Sequence, residues 1–173
     1  MKKKKVFFYC RVCMMVLSIC FLTGCGKEDN PGNEVNTESY VDLGLTSGTK
    51  WKSSNEDSGF SGFISYQHAL QFGSQLPSKA QFEELIDECQ WLWIGGGYIV
   101  TGPNGNFIVL PAAGYSRFTS DVYDEGLWGV YWSSTTTGIG SDYAFCLSIT
   151  SGDARIIYCD HRSFCLAVRL IQK

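Results

Sequence analysis

The feature that most constrains the fold is an alternation of short apolar runs with clusters of turn residues, which begins after Gln90. The runs Tyr98–Thr101 and Phe107–Leu110 are separated by glycine, proline and asparagine residues at 102–106. Turn residues between two apolar runs predict a β-hairpin. The three glycines at 95–97 resemble a phosphate-binding loop, but such a loop must lead into a helix, and this one leads into a strand. We therefore expect a turn at 95–97 and antiparallel strands after it.

The C-terminal third predicts a three-stranded antiparallel meander. A two-residue turn at Gly152-Asp153 would pair Ile149 with Ile156, and a loop at 161–163 would pair Tyr158 with Leu166. Both registers place the same alternate residues on one apolar face, namely Phe145, Leu147, Ile149, Ile156, Tyr158, Phe164, Leu166, Val168 and Leu170. The opposite face would carry three cysteines and be turned away from the apolar core: Cys146, Cys159 and Cys165.

Two helices are expected before Gln90. The first, at 65–73, begins with Ser65 as its N-cap and ends at a glycine suited to a positive φ. The second follows the N-cap Ser78, with Gln81 completing a capping box. Its core face is expected to hold Phe82, Leu85, Ile86 and Cys89. Its solvated face is expected to hold Glu83, Glu84, Asp87 and Glu88. Helices followed by strands predict an α+β domain.

The N-terminal residues resemble a bacterial lipoprotein signal. Lysines at 2–5 precede an apolar run from Val6 to Leu22, which Arg11 interrupts and which is too short for a comfortable membrane span. The run ends in Leu22-Thr23-Gly24-Cys25, which resembles the lipobox, where the chain is cut before the cysteine and the cysteine is lipidated. The alternative is an ordinary thiol behind a plain secretory signal. We expect a signal peptide at 1–24 and lipidation of Cys25.

The residues after Cys25 indicate where the mature protein is located. Gly26-Lys27-Glu28-Asp29 resembles the surface-export signal of Bacteroidetes lipoproteins, although the same charges could serve only to keep a tether soluble. Residues 30–39 are polar and without periodicity, so 25–39 is expected to be a flexible stalk and 40–173 a folded domain. The expected location is the outer membrane, with a lipid anchor and with the domain exposed at the cell surface.

Charge excludes one class of partner. Five of the 14 basic residues and none of the 17 acidic ones lie in the signal segment, which leaves the mature chain with a net charge of −8. A nucleic-acid-binding protein needs basic patches to neutralise phosphates. The remaining basic residues are scattered singly, so no nucleic-acid partner is expected.

Six ordered segments resemble one known family, the Fibrobacter succinogenes major paralogous domain of Bacteroidetes lipoproteins. They are Tyr40–Trp51, Leu76–Trp91, Val100–Asn106, Leu110–Tyr115, Tyr131–Ser134 and Ala167–Arg169. The resemblance covers residues 40 to 171 and implies a C-type-lectin-like fold, with two helices packed on a small irregular antiparallel sheet and long loops. It also implies surface binding or adhesion. The chain departs from the family pattern in a shortened segment between Trp51 and Ser65 and in the cysteines at 159 and 165.

The residue types argue against catalysis and against a metal. Calcium-dependent members of the lectin fold use a Glu-Pro-Asn loop and a Trp-Asn-Asp strand, whereas this chain has Gly102-Pro103-Asn104 and no Trp-Asn-Asp. Asp160, His161 and Ser163 are too close in sequence for their side chains to form a relay. Structural zinc sites usually use closely spaced cysteine pairs, which are missing here. We expect no catalytic residue, no metal and no cofactor.

The cysteines after Cys25 favour a local disulfide, because an exported domain can retain one. Cys146 with Cys159, or Cys159 with Cys165, are the candidate pairs, and both cannot form together. Formylglycine-generating enzymes share the lectin-like topology and use a C-terminal cysteine pair, but their pair is more closely spaced. Cys89 is expected to be a small apolar residue on the buried face of its helix.

The leading hypothesis is a surface-anchored, non-enzymatic binding module for a glycan or a protein, held to the membrane by its lipid. Aromatic and basic residues in loops rich in Gly, Ser and Asp are the candidate ligand contacts: Tyr115, Arg117, Tyr123, Trp128, His161 and Arg162. Trp132 is expected in the core instead. One alternative is an accessory subunit of a surface assembly, such as a pilus or a polysaccharide-uptake complex. An oxidase resembling the formylglycine-generating enzymes is third.

Overall fold

Short antiparallel strands and two short α-helices make up the part of the chain that the computed structural model describes, residues 39–57, 59 and 62–173. The expected signal peptide at 1–24 and the stalk, apart from Ser39, lie outside the described residues. The elements are β1 Tyr40–Asp42, β2 Lys50–Lys52, β3 Ile64–Ser65, α1 Tyr66–Ala69, α2 Lys79–Glu88, β4 Gln90–Trp93, β5 Gly97–Thr101, β6 Phe107–Pro111, β7 Trp128–Thr136, β8 Tyr143–Thr150, β9 Asp153–Asp160, β10 Cys165–Leu166 and β11 Ile171–Gln172. The architecture is α+β, as the sequence predicts.

Both helices begin at the serines that the sequence predicts. The Ser65 side chain accepts a hydrogen bond from the backbone N–H of His68 at 3.3 Å, and a short 3₁₀ segment, Leu70–Gln75, continues the first helix. In that segment Gly73 has a φ of 57°. Ser78 and Gln81 form the predicted capping box at the start of α2.

The acidic face of α2 lies at the surface, as predicted, and two of its carboxylates also bind a distant turn. Glu84 accepts hydrogen bonds from the backbone N–H and the hydroxyl of Ser47, both at 2.7 Å. Glu88 accepts one from the backbone N–H of Thr46 at 2.9 Å. These carboxylates fasten the turn between β1 and β2 to the helix. Periodicity separates core from surface positions but does not show which surface side chains hold a distant turn.

Removing the cap should weaken α2. Ser78→Ala is expected to lower the free energy of unfolding by about 1 kcal/mol, because the N-terminal amide groups of the helix lose their side-chain acceptor. Ser78→Asp should retain most of the stability, since aspartate also caps helices. Urea unfolding followed by circular dichroism measures both variants. Equal losses in the two would show that the cap is not what stabilises this helix.

The hairpin predicted between 98 and 110 is confirmed. β5 pairs with β6 in antiparallel register, with Thr101 opposite Phe107, and β4 pairs with the other edge of β5. The glycines at 95–96 lie in the predicted turn, where the Ile94 N–H donates to the Gly97 carbonyl at 3.0 Å. One face of this sheet enters the core through Tyr98, Val100, Ile108 and Leu110.

The predicted C-terminal meander is wrong in its third strand. The sheet contains β7, β8 and β9, so the partner of β8 on its other side is β7, and β10 pairs instead with β3. The turn between β8 and β9 also lies one residue earlier than predicted, because Thr150 pairs with Asp153. Ile149 therefore faces Ala154, not Ile156. The residue opposite each position of β8 is therefore two residues away from the predicted one. A shift of two residues keeps each side chain on the same face of the sheet, so the predicted assignment of β8 and β9 side chains to the two faces is correct.

The face that carries the cysteines is buried, contrary to prediction. Cys146, Cys159 and Cys165 are all buried, and the first two belong to a second apolar cluster with Tyr66, Trp132 and Val168. The sheet is covered on both sides because α2 packs on one face, while α1 and the segment around β10 pack on the other. Of the residues predicted to share the apolar face, Leu166, Val168 and Leu170 belong to this second cluster, and Tyr158 is 67% exposed.

Trp132 lies in the core, as predicted. Its side chain has no exposed surface, and its indole N–H donates to the Ile64 carbonyl at 2.8 Å. This bond connects β7 to β3, which lies far away in the sequence.

A buried arginine connects four segments of the fold. Arg169 is 1% exposed and donates to the Asn55 side chain at 2.9 Å, the Lys52 carbonyl at 2.8 Å and the Val109 carbonyl at 2.7 Å. Tyr131 interacts with Arg169 and Asn55, and its hydroxyl donates to the Pro111 carbonyl at 2.5 Å. We call Arg169, Tyr131 and Asn55 the arginine network. It supplies hydrogen-bond donors to a carbonyl group on β2, in a buried bond, and to one on the edge strand β6.

The network predicts a loss of stability at alkaline pH. Burial raises the pKa of Tyr131 to about 12, whereas an unfolded tyrosine titrates near 10. The folded state therefore holds this proton more tightly, so the stability is present below pH 10 and is lost as the pH rises toward 12. We expect Tyr131→Phe to remove up to about 2 kcal/mol of the pH dependence over this window. Urea titrations at several pH values measure it, and an unchanged slope would contradict this assignment.

Within 39–57, 59 and 62–173, none of the helices has both the length and the apolar character needed to span a bilayer.

Candidate ligand-binding surface

The connection between β6 and β7, residues 112–127, forms a folded loop with its own backbone bridges. Tyr115 and Tyr123 exchange backbone hydrogen bonds of 3.1 and 2.9 Å, which pinch the loop at its base. The Gly114 N–H donates to the Trp128 carbonyl at 2.7 Å. Gly114 has a φ of +80°, and a Cβ there would lie 2.1 Å from the Tyr123 carbonyl oxygen, so this position requires glycine.

Tyr115 is the centre of an aromatic cluster. Its ring stacks on Tyr123 with centroids 5.3 Å apart, and it meets Trp128 at 5.5 Å and Phe164 at 5.3 Å edge to face. The Arg117 guanidinium lies over the rings of both Tyr115 and Phe164, at 5.7 and 5.5 Å. We call these five residues the aromatic cluster. Such ring and cation–π contacts hold the side chains in fixed positions.

The aromatic cluster contains four of the six residues that the sequence predicted as ligand contacts. Phe164 was missed, because the predicted meander assigned it to the apolar core face. In the structure it is half-buried, and it follows the loop at 161–163 directly. No local signal distinguishes a ring that packs under a loop from one that packs in a sheet, so only the tertiary pairing could have placed it.

The loop also exposes a group of apolar side chains. They are Phe118, Val122, Tyr123 and Leu127, with Leu127 70% exposed. Trp128, which follows the loop, is held in place by a hydrogen bond from its indole N–H to the Ser148 hydroxyl at 2.7 Å. Exposed apolar residues gathered on one loop are typical of an interaction surface.

His161 and Arg162 lie outside the aromatic cluster. The His161 ring stacks on Tyr66 at 5.2 Å, and its Nε2 lies 3.0 Å from the Ser141 carbonyl. Arg162 forms ion pairs with Asp142 at 2.9 Å and with Asp160 at 3.4 Å. The six predicted contacts therefore divide between two surfaces.

Two cavities offer space for a ligand. A groove of about 470 Å³ lies beside the loop and is lined in part by Asp57, Val122 and Glu125. A second cavity of about 600 Å³ lies between the start of α2 and the C-terminus, where Gln75, Gln81 and Lys173 line it. Only the first shares residues with the 112–127 loop.

The residues that could suggest catalysis are arranged for structural contacts. Asp160 accepts a hydrogen bond from the Ser163 hydroxyl at 3.0 Å, while the Nε2 atom of His161 is directed to the Ser141 carbonyl, so the three groups form no relay. Among the described residues, no group of three or more His, Cys, Asp or Glu side chains is placed to hold a metal ion.

The four cysteines of the described chain are free thiols. Cys146 faces Ile157, and Ala144 faces Cys159, so the first candidate pair is diagonal rather than directly opposite. Burial raises the pKa of Cys146, whereas a hydrogen bond from Cys146 lowers the pKa of Cys159. Cys165 bridges Ser116 through backbone hydrogen bonds of 3.0 and 2.8 Å. The strand pairing that motivated a bond between Cys159 and Cys165 is not the one in the structure.

Comparison of the chain with family models, with characterised proteins and with solved structures finds no match.

Proposed function

We propose that this protein is a lipid-anchored, non-enzymatic binding module of the bacterial outer surface, with the 112–127 loop as its contact region. The observation that carries the proposal is the aromatic cluster, whose rings and Arg117 pack on one another at the same loop that exposes a set of apolar side chains. Tyrosine, tryptophan and arginine are the residues that most often dominate binding energy at interfaces.

The composition of the loop favours a protein as the ligand. Phe118, Val122 and Leu127 are exposed and apolar, and they offer few hydrogen bonds to a polar ligand. A loop that carries exposed apolar side chains together with an arginine and packed aromatic rings matches the centre of a protein interface. A glycan is the other outcome that the experiment below distinguishes.

The location and the finer fold are parts of the same proposal. The lipobox-like Leu22-Thr23-Gly24-Cys25 and the charges after it support a surface anchor. The six ordered segments support a C-type-lectin-like domain. The α+β architecture with long loops is compatible with that fold.

A second candidate function, as an accessory subunit of a surface assembly, is favoured by the outer face of the β4–β6 sheet. Leu92, Phe107 and Val109 are exposed on this face, and residues 90–116 contain no Asp, Glu, Lys, Arg or His. An uncharged apolar face of this kind fits a permanent neighbour. Recovery of one stable partner from intact cells, lost in Leu92→Ser and retained in Tyr123→Ala, would favour this function over the first.

The leading proposal predicts a binding defect from a single exposed ring. An array of cell-surface proteins and glycans should return at least one protein ligand, and Tyr123→Ala should weaken its binding roughly tenfold or more. Tyr123 is 41% exposed, so the variant should remain folded. Tyr143→Ala, which removes a similarly exposed tyrosine outside the loop, is the matched control. An array signal that Tyr123→Ala leaves intact, or one from glycans alone, would contradict the proposal.

A further inference from the structure

A second exposed aromatic surface lies on the β8–β9 strand pair. Tyr143 is paired with Asp160, and Phe145 with Tyr158, so these four side chains lie on one face of the sheet. We call them the tyrosine ledge. The Tyr143 and Tyr158 rings are 5.9 Å apart and nearly perpendicular. The ledge shares no residue with the aromatic cluster.

The ledge is open because α2 covers only part of this face. The helix packs over Leu147 and Ile156, and the Nζ of Lys79, its first residue, lies 5.2 Å from the centroid of the Phe145 ring. The tyrosines lie further along the strands and are 42% and 67% exposed. Two large rings thus face solvent on a regular strand pair.

Polar groups at the end of the same strand pair are held in place. Asp160 accepts hydrogen bonds from the Arg162 backbone N–H at 2.9 Å and from the Ser163 hydroxyl at 3.0 Å. The Arg162 guanidinium pairs with Asp142 at 2.9 Å and is 62% exposed, so it keeps donor groups facing solvent. The pKa of Asp160 is lowered, mainly by the hydrogen bond from the Arg162 backbone N–H. The Asp160 carboxylate therefore remains a hydrogen-bond acceptor.

We propose that the tyrosine ledge binds a neutral glycan. The flat, C–H-rich face of a pyranose ring would pack on Tyr158, its hydroxyl groups would donate to Asp160, and a ring or hydroxyl oxygen would accept from Arg162. Tyrosine suits such a contact because its ring is apolar and its hydroxyl is polar. This site goes beyond the protein-binding loop and does not depend on it.

Charge selects a neutral glycan over an anionic ligand. Two carboxylates, Asp142 and Asp160, flank the single guanidinium of Arg162. The other cation at the ledge, Lys79, is paired with Glu83 at 2.7 Å, and the mature chain is acidic overall. An anionic polysaccharide or phosphate would meet this excess of negative charge. The four ledge residues include no aliphatic side chain, whereas the 112–127 loop exposes Val122 and Leu127, and this favours a glycan over a protein at the ledge.

The test is affinity electrophoresis of the full chain through gels that contain β-glucan, xylan, mannan, arabinan or starch, with gels of the anionic polysaccharides pectin and alginate run in parallel. At least one of these neutral polysaccharides should retard the protein. Tyr158→Ala should weaken the retardation roughly tenfold or more, and Asp160→Asn should weaken it as well. Tyr123→Ala, in the aromatic cluster, is the matched control and should leave the retardation unchanged.

Three results would overturn the proposal: no retardation by any of the five polysaccharides, retardation lost in Tyr123→Ala but kept in Tyr158→Ala, or stronger retardation by the anionic polysaccharides pectin and alginate. Tyr158 is largely exposed, and thermal unfolding of each variant shows that a lost signal is not a lost fold. Failure of this test would not count against the proposed protein-binding loop, because binding at the loop is tested separately, by the effect of Tyr123→Ala on the protein ligand.

Discussion

Replacing Arg169 by alanine is expected to lower the free energy of unfolding by roughly 3 to 5 kcal/mol. The arginine is 1% exposed, and it donates hydrogen bonds to the Asn55 side chain and to the Lys52 and Val109 carbonyls. Alanine removes the donor to the Val109 carbonyl and to the Lys52 carbonyl, whose hydrogen bond is buried, and it opens a cavity where the guanidinium was. Urea unfolding at neutral pH, with circular dichroism as the signal, gives the value.

The matched control is Arg155→Ala. Arg155 is 70% exposed and pairs with Asp153 at 3.2 Å at the surface, so its loss should change stability by less than about 0.5 kcal/mol. If the two variants were equally stable, Arg169 would not be the residue that holds β2, β6 and the 55–57 segment together.

Replacing Gly114 by alanine is expected to destabilise the protein by roughly 2 to 5 kcal/mol and to disrupt the 112–127 loop. Two costs add here. The backbone has a φ of +80°, which L-residues with a Cβ rarely adopt, and the new methyl group would lie 2.1 Å from the Tyr123 carbonyl oxygen. Because Tyr115 follows immediately, the backbone bridge under the aromatic cluster must shift. Thermal unfolding reports the loss of stability, and the NMR signal of the Trp128 indole N–H reports the change in the loop.

Gly126→Ala separates the two costs. Gly126 has a φ of +76° in the same loop, but a Cβ there meets nothing within 4 Å, so only the backbone cost of about 1 to 2 kcal/mol remains. Equal losses in the two variants would show that the close approach at Gly114 is relieved without disturbing the loop.

Local signals predicted local structure well. The capping box of Ser78 and Gln81 and the hairpin around 102–106 each depend on residues a few positions apart, and both are confirmed. The third strand of the C-terminal sheet could not be found in this way. β7 and β10 each compete for a place beside the β8–β9 hairpin, and the pairing of β10 with β3 depends on segments about 100 residues apart.

The candidate site was predictable in its composition but not in its grouping. Tyr115, Arg117, Tyr123 and Trp128 are close in sequence, so one loop brings them together. His161 and Arg162 belong to another surface, because the pairing of β8 with β9 places the 161–163 loop next to Ser141 and Asp142. Period-2 alternation put Cys146 and Cys159 on the correct shared face, yet it could not show that both faces of this sheet are covered.

The most direct measurement is an amide NMR titration of the full chain with the protein ligand that the array returns. If the aromatic cluster is the binding surface, the largest changes in amide chemical shift should fall on residues 115–128 and on Phe164. Residues 74–81 and 171–173 around the second cavity should change little. Shift changes concentrated at that cavity, with the loop unaffected, would contradict the assignment of the aromatic cluster as the binding surface.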